Sequence, residues 1–100
     1  SIYSAHFITD SIGDSDSVSM FGNMRHLVLY CSSEESNFDQ RDINDMQLAI
    51  VNLIELETFK FILVTQNEKL AAQLSDRFIF PASKFKYEFV VKSKKMKFKK

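Results

Sequence analysis

Glycine and proline are nearly missing from this chain. Gly13, Gly22 and Pro81 are the only three in 100 residues. That scarcity argues against long flexible linkers, and with no glycine-rich run there is no phosphate-cradling loop. Cysteine occurs once, as Cys31, so no internal disulfide can form. A lone thiol fits a reducing compartment, and the expectation is a cytoplasmic protein. No stretch approaches the ~20 apolar residues that a spanning helix needs. Asn52, Glu55 and Lys60 interrupt the longest ones, so no membrane is expected. The opening "SIYSAHFITD" lacks a basic segment followed by a long apolar one and does not read as an intact signal peptide. Without an initiator Met, the chain reads as processed or as cut from a longer one.

What is present is apolar and polarised. Hydrophobic residues make up 45% of the chain and include 10 Phe. That is the composition of a packed core, and this length is one domain. The formal net charge of zero conceals two opposite halves. Residues 1–50 carry 8 acids and 2 bases, and residues 51–100 carry 5 acids and 11 bases. Eight Lys against Glu88 fall within 84–100. Such a separation bears on partners in a way that the net charge does not.

Periodicity predicts the elements. Residues 2–9 and 26–31 are apolar and β-rich, with a polar turn at 10–17 and a short helix or irregular segment at 18–24. A helix is expected over 42–57, where Ile43, Met46, Ile50, Leu53 and Leu56 recur at helical spacing. Leu48, Val51 and Ile54 widen its face, and Asp42 is its expected N-cap. "FKFILVT" (59–65) reads as a central parallel strand covered on both faces. A helix capped by Asn67 follows, then a short strand "RFIF" (77–80). "KFKYEFVVK" (84–92) alternates with period two, and "MKFKK" (96–100) alternates again after a turn. The expected fold is α/β. It is a small three-layer sheet with a mainly parallel β-α-β-α-β core over 1–83 and a basic C-terminal antiparallel hairpin over 84–100.

In such sheets, ligands sit beyond the carboxyl ends of the strands. The residues there are Asp10, Glu34 and Glu35, Thr65 and Asn67, with Asp42 and Asp45 near the start of a helix. Clustered carboxylates hold hard cations, so an acidic rim can bind Mg²⁺ or Mn²⁺ and activate water against a phosphodiester. The structural alternative is that Asp42 and Asp45 serve a helix N-terminus and the other acids are solvated. "DSIGDSDS" does not make a calcium loop: counted from Asp10, the sixth residue is Ser15 and the twelfth Phe21, where that loop needs Gly and Glu.

Four segments carry a family resemblance. "HFITDS" resembles the first strand and first acid of PIN and NYN-type nuclease domains, and "RHLVLYC" their second strand. "RDINDMQLAIVNL" is similar to their acid-bearing helix, and "KFILVTQNEKLAAQL" to the following strand, turn and helix. The likeness spans residues 5–80. It implies an RNA-directed domain with Mg or Mn held by Asp10 and Asp45 as metal-binding, catalytic acids, and with Thr65 at the turn. Asn67 stands where the family usually has Asp, which removes a charge from the metal site. A strand–helix segment with its own acid is also missing between the second strand and the helix at 42. Together these imply a shortened and degenerate version of the fold.

The tail supplies the other candidate. Lys92, Lys94, Lys95, Lys97, Lys99 and Lys100 can contact phosphates, and Phe85, Tyr87 and Phe89 can stack on bases or face the core. Cys31 at the end of an apolar strand reads as a small buried hydrophobe, and neither His6 nor His26 has the spacing of a triad or metal pair. Two functions compete. One is metal-dependent cleavage of RNA. The other is a non-catalytic module that binds nucleic acid, a protein partner or a second copy of itself.

Overall fold

A computed structural model describes residues 4–93. Seven elements follow one another: β1 (Ser4–Thr9), α1 (Ser15–Val18), β2 (His26–Ser32), α2 (Gln40–Val51), β3 (Thr58–Val64), α3 (Glu68–Arg77) and β4 (Lys86–Lys92). The strands form one sheet in the order β1-β2-β3-β4, and every neighbouring pair is parallel. Each crossover therefore joins adjacent strands. Crossovers of one hand between successive neighbours carry every connecting segment to the same face. A single core bears this out. Val18 of α1, Ile43, Met46 and Ile50 of α2, and Leu70 and Leu74 of α3 share it with Leu27, Leu29, Cys31, Phe59, Phe61 and Leu63 of the sheet. The α/β class and parallel core agree with the sequence reading. The third layer does not: α1, α2 and α3 lie on one side, and the described residues form two layers. None of these helices is long and apolar enough to cross a membrane.

The predicted C-terminal antiparallel hairpin is also overturned. Residues 86–92 do form a strand, but β4 runs parallel to β3, with Thr58 opposite Lys86 and Val64 opposite Lys92. The expected return strand at 96–100 lies outside the described residues. The difference traces to "RFIF". Arg77 is still helical, and the Phe78 amide donates to Leu74 O at 2.7 Å. The carbonyls that a strand would offer to a neighbour are bound by side chains instead. Gln47 Nε2 donates to Arg77 O at 3.0 Å and to Ile79 O at 2.9 Å, and the Tyr87 hydroxyl donates to Phe78 O at 3.0 Å. With no strand at 77–80, residues 86–92 become the next strand after α3 and arrive by a parallel crossover.

The second helix is shifted and shorter than its apolar pattern implies. Asp39, not Asp42, is the N-cap, and its Oδ1 accepts from the Arg41 amide at 2.9 Å. Asp42 sits in the first turn, where a negative charge favours the helix dipole. The helix stops at Val51, yet Leu53 and Leu56 remain buried because tight turns carry them back under the sheet. The widened face does not hold. Leu48 and Ile54 point to solvent, Ile54 at 88% exposure. The next helix is as expected: Asn67 caps it, accepting from the Lys69 and Leu70 amides at 3.1 and 3.2 Å.

Aromatic rings lock β4 to β3. Phe59 stacks on Tyr87 at 5.6 Å and meets Phe78, Phe80 and Phe85 edge-on, while Phe61 stacks on Phe89 at 5.8 Å. The aromatics of β4 thus face the core. Phe59→Ala should lower unfolding free energy by about 3–5 kcal/mol in urea titrations, from lost burial and a residual cavity. Ile54→Ala should change it by no more than about 0.5 kcal/mol.

Candidate functional site

Asp10 and Glu35 follow the carboxyl ends of β1 and β2, but the acids expected to meet at that rim are dispersed, and Asp45 lies where α1 and α2 meet. Asp10 lines a shallow depression with Ile8, Thr9, Asp14 and Ser32. Asp45 lines another with Ser15, Asp16, Ser19, Leu48, Ala49 and Asn52. Between the β1 and β2 loops, a hollow of about 330 Å³ is lined by Ser11, Ile12, Glu35, Asn37, Phe38, Asp39 and Asp42. Among the described residues, no group of three or more His, Cys, Asp or Glu side chains is arranged to hold a metal ion.

Both ends of the Asn67 side-chain amide are engaged. Its Oδ1 accepts from two amides of α3, and its Nδ2 donates to the Glu35 carbonyl at 3.0 Å. An amide oxygen has two lone pairs, and both are engaged here. Asn67 thereby ties the loop after β2 to the start of α3. Gln73 adds a second tie, its Oε1 accepting from the Phe38 amide at 2.9 Å. Thr65 is buried, and its Oγ1 accepts from the Asn67 amide at 3.0 Å. At the end of β1, the Ser11 amide donates to Thr9 Oγ1 at 3.1 Å. Gly13 packs so closely that a Cβ there would lie 3.1 Å from Asp42 Oδ2.

Cys31 faces the core with no exposed surface. Burial, then the charges of Asp10 and Glu35, pushes its thiol up to about 12. That shift favours the neutral thiol over the thiolate, the form that attacks and binds metals. Burial likewise moves the Tyr87 phenol above its ordinary range.

The second region is the sheet face opposite the helices. Parallel register sets its side chains in rows. Ser4, His26, Thr58 and Lys86 form the first, and His26 Nδ1 lies 2.8 Å from Thr58 Oγ1. His6, Val28, Lys60 and Glu88 form the second. Ile8, Tyr30, Ile62 and Val90 form the third, an apolar row across all four strands. Ser32, Val64 and Lys92 form the last. Ile8 is 78% exposed, Tyr30 and Val90 are half-buried, and Ile62 between them is buried. The His6 and Tyr30 rings lie 5.8 Å apart at 33°.

Of the lysines singled out in the sequence, Lys92 is exposed at the end of β4, on this face. Lys94, Lys95, Lys97, Lys99 and Lys100 lie outside the described residues. The alternation in 84–92 already sets Lys86 and Lys92 on a wet face, and both are exposed there; sequence reasoning missed Lys60, His6 and Tyr30 as surface groups on the same face. The signal was there: alternate positions of β2 and β3 include His26, Tyr30, Thr58 and Lys60, which a second helical layer would not cover without polar partners. Compared with protein-family models, curated proteins and solved structures, the chain matches none of them. None of these comparisons bears on the likeness to PIN and NYN-type domains, which rests on the quoted motifs alone.

Two outcomes follow. Asn67→Ala should cost about 1 kcal/mol of stability, as loss of a helix cap does. Cys31 should resist an aromatic disulfide reagent at pH 8 in the folded chain and react quickly once urea unfolds it. Because the folded thiol binds its proton more tightly than the unfolded one, stability should fall as pH rises from the ordinary thiol value of 9.0 toward about 12.

Proposed function

We propose that this domain binds RNA and does not cleave it. The observation that carries the reading is the sheet face opposite the helices, where Lys60, Lys86 and Lys92 stand within two adjacent strands. The chain then continues from Lys92 into five more lysines by residue 100. Lysines in that density neutralise phosphates and release their counterions. Cleavage of the kind the PIN and NYN likeness implies would need Asp10 and Asp45 to share a Mg²⁺ or Mn²⁺ ion. They line separate depressions, and the oxygen of Asn67 is engaged in capping a helix. A metal-free binding role asks nothing further of these residues.

Fluorescence anisotropy with labelled RNA across a salt series tests the reading. Affinity should fall steeply with salt, and the double variant Lys86→Gln/Lys92→Gln should reduce the log–log slope by about 0.7 for each phosphate no longer neutralised. Truncation after Lys92 should weaken binding further. Calorimetric Mn²⁺ titration should give the same result for the wild-type chain and for Asp10→Asn/Asp45→Asn. Stoichiometric Mn²⁺ binding that disappears in that variant would favour cleavage instead.

A further inference from the structure

Building on the RNA-binding reading, we propose that the sheet face opposite the helices is a stacking platform for single-stranded RNA, with Tyr30 as its central ring. Tyr30 stands in the middle of the apolar row, between Ile8 on β1 and Ile62 on β3. The His6 ring lies beside it on the neighbouring strand. Both rings point away from the helices, so the core does not use them. The basic residues occupy the other half of the face, Lys60 on β3 and Lys86 and Lys92 on β4. From β2 to β4 is two strand spacings, about 10 Å. A nucleotide whose phosphate lies over β4 can therefore direct its base toward Tyr30.

The chemistry selects a single strand. A duplex hides its base faces and offers phosphates and groove edges, which a flat row of apolar side chains and rings cannot read. Unpaired bases stack on aromatic rings whatever their sequence, while lysines track the backbone. The same charge disfavours a second copy as the occupant, because two such faces would bring lysines together. Two acids bound the path. Glu88 sits beside Lys60 and between Lys86 and Lys92 on β4, and Asp10 marks the corner beyond β1. Glu88 repels a phosphate there, so Glu88→Gln should tighten binding.

The test is anisotropy with a short labelled oligouridine and with an RNA duplex. The full chain is compared with Tyr30→Leu, which keeps apolar cover over Ile62, and with Tyr30→Phe, which keeps the ring. Single-strand affinity should fall about tenfold in Tyr30→Leu and persist in Tyr30→Phe, as removal of one stacked base predicts. Duplex binding should be equal in all three. His6→Ala, at an exposed position, should weaken single-strand binding in the same direction and serves if Tyr30→Leu fails to fold. Wild-type affinity for the oligouridine in both Tyr30→Leu and His6→Ala would overturn the platform and leave RNA binding through the lysines standing. No binding of either RNA by the wild-type chain at low salt would overturn both readings. A dimer of the free protein that Tyr30→Leu dissociates, or a face that takes an acidic peptide in preference to RNA, would assign the surface to a protein partner instead.

Discussion

Strand order is the constraint on which the rest of this structure depends. Four parallel strands laid side by side in chain order need three crossovers, and crossovers of one hand put every helix on one face. The core then has only one place to form. Phe59, Phe61 and Leu63 of β3 meet α2 and α3 there, and Tyr87 and Phe89 extend it along β4. The intervening residues of the same strands, Lys60, Ile62 and Val64, face away from those helices. Which side chains are structural and which are available for binding is thus settled by alternation within a strand.

A parallel sheet usually has both faces covered, so a face that none of the described helices covers requires compensation. The apolar surface is narrow, a single row from Ile8 to Val90, and Ile62 within it is buried. The rows on either side carry His6, Lys60, Glu88 and Lys92. Behind the sheet, the ring stacking of Phe59 on Tyr87 and Phe61 on Phe89 holds β4 in register, which keeps Lys86 and Lys92 on the same face as Tyr30. The packing on one side therefore determines the spacing of charges on the other.

Much of this was legible in the residues. Helical spacing located α2, Asn67 marked the start of α3, and the apolar runs located β2 and β3. Two features misled. The near-continuous apolar run of β3 resembles a strand buried on both faces, and only Lys60 argues otherwise. "RFIF" has strand composition, but Gln47 and Tyr87 take its carbonyls, across separations of 30 and 9 positions. Reading it as a strand turned β4 into half of a hairpin. The acidic rim was legible as a location, because strand ends follow from topology. Its dispersion into separate depressions was not, because side-chain neighbours across loops leave no period in the sequence.

Among the described residues, Lys60, Lys86 and Lys92 share the sheet face opposite the helices, while Asp10 and Glu35 follow the ends of β1 and β2. Methyl-resolved NMR during titration with single-stranded RNA tests most directly whether that face is the binding surface. The account predicts that the methyl signals of Ile8, Val28, Ile62 and Val90 shift, while those of Leu27, Leu29 and Leu63, on the helix-covered side of the same strands, stay in place. Shifts confined to residues of the acidic rim or the helices, with the bare face unmoved, would contradict it.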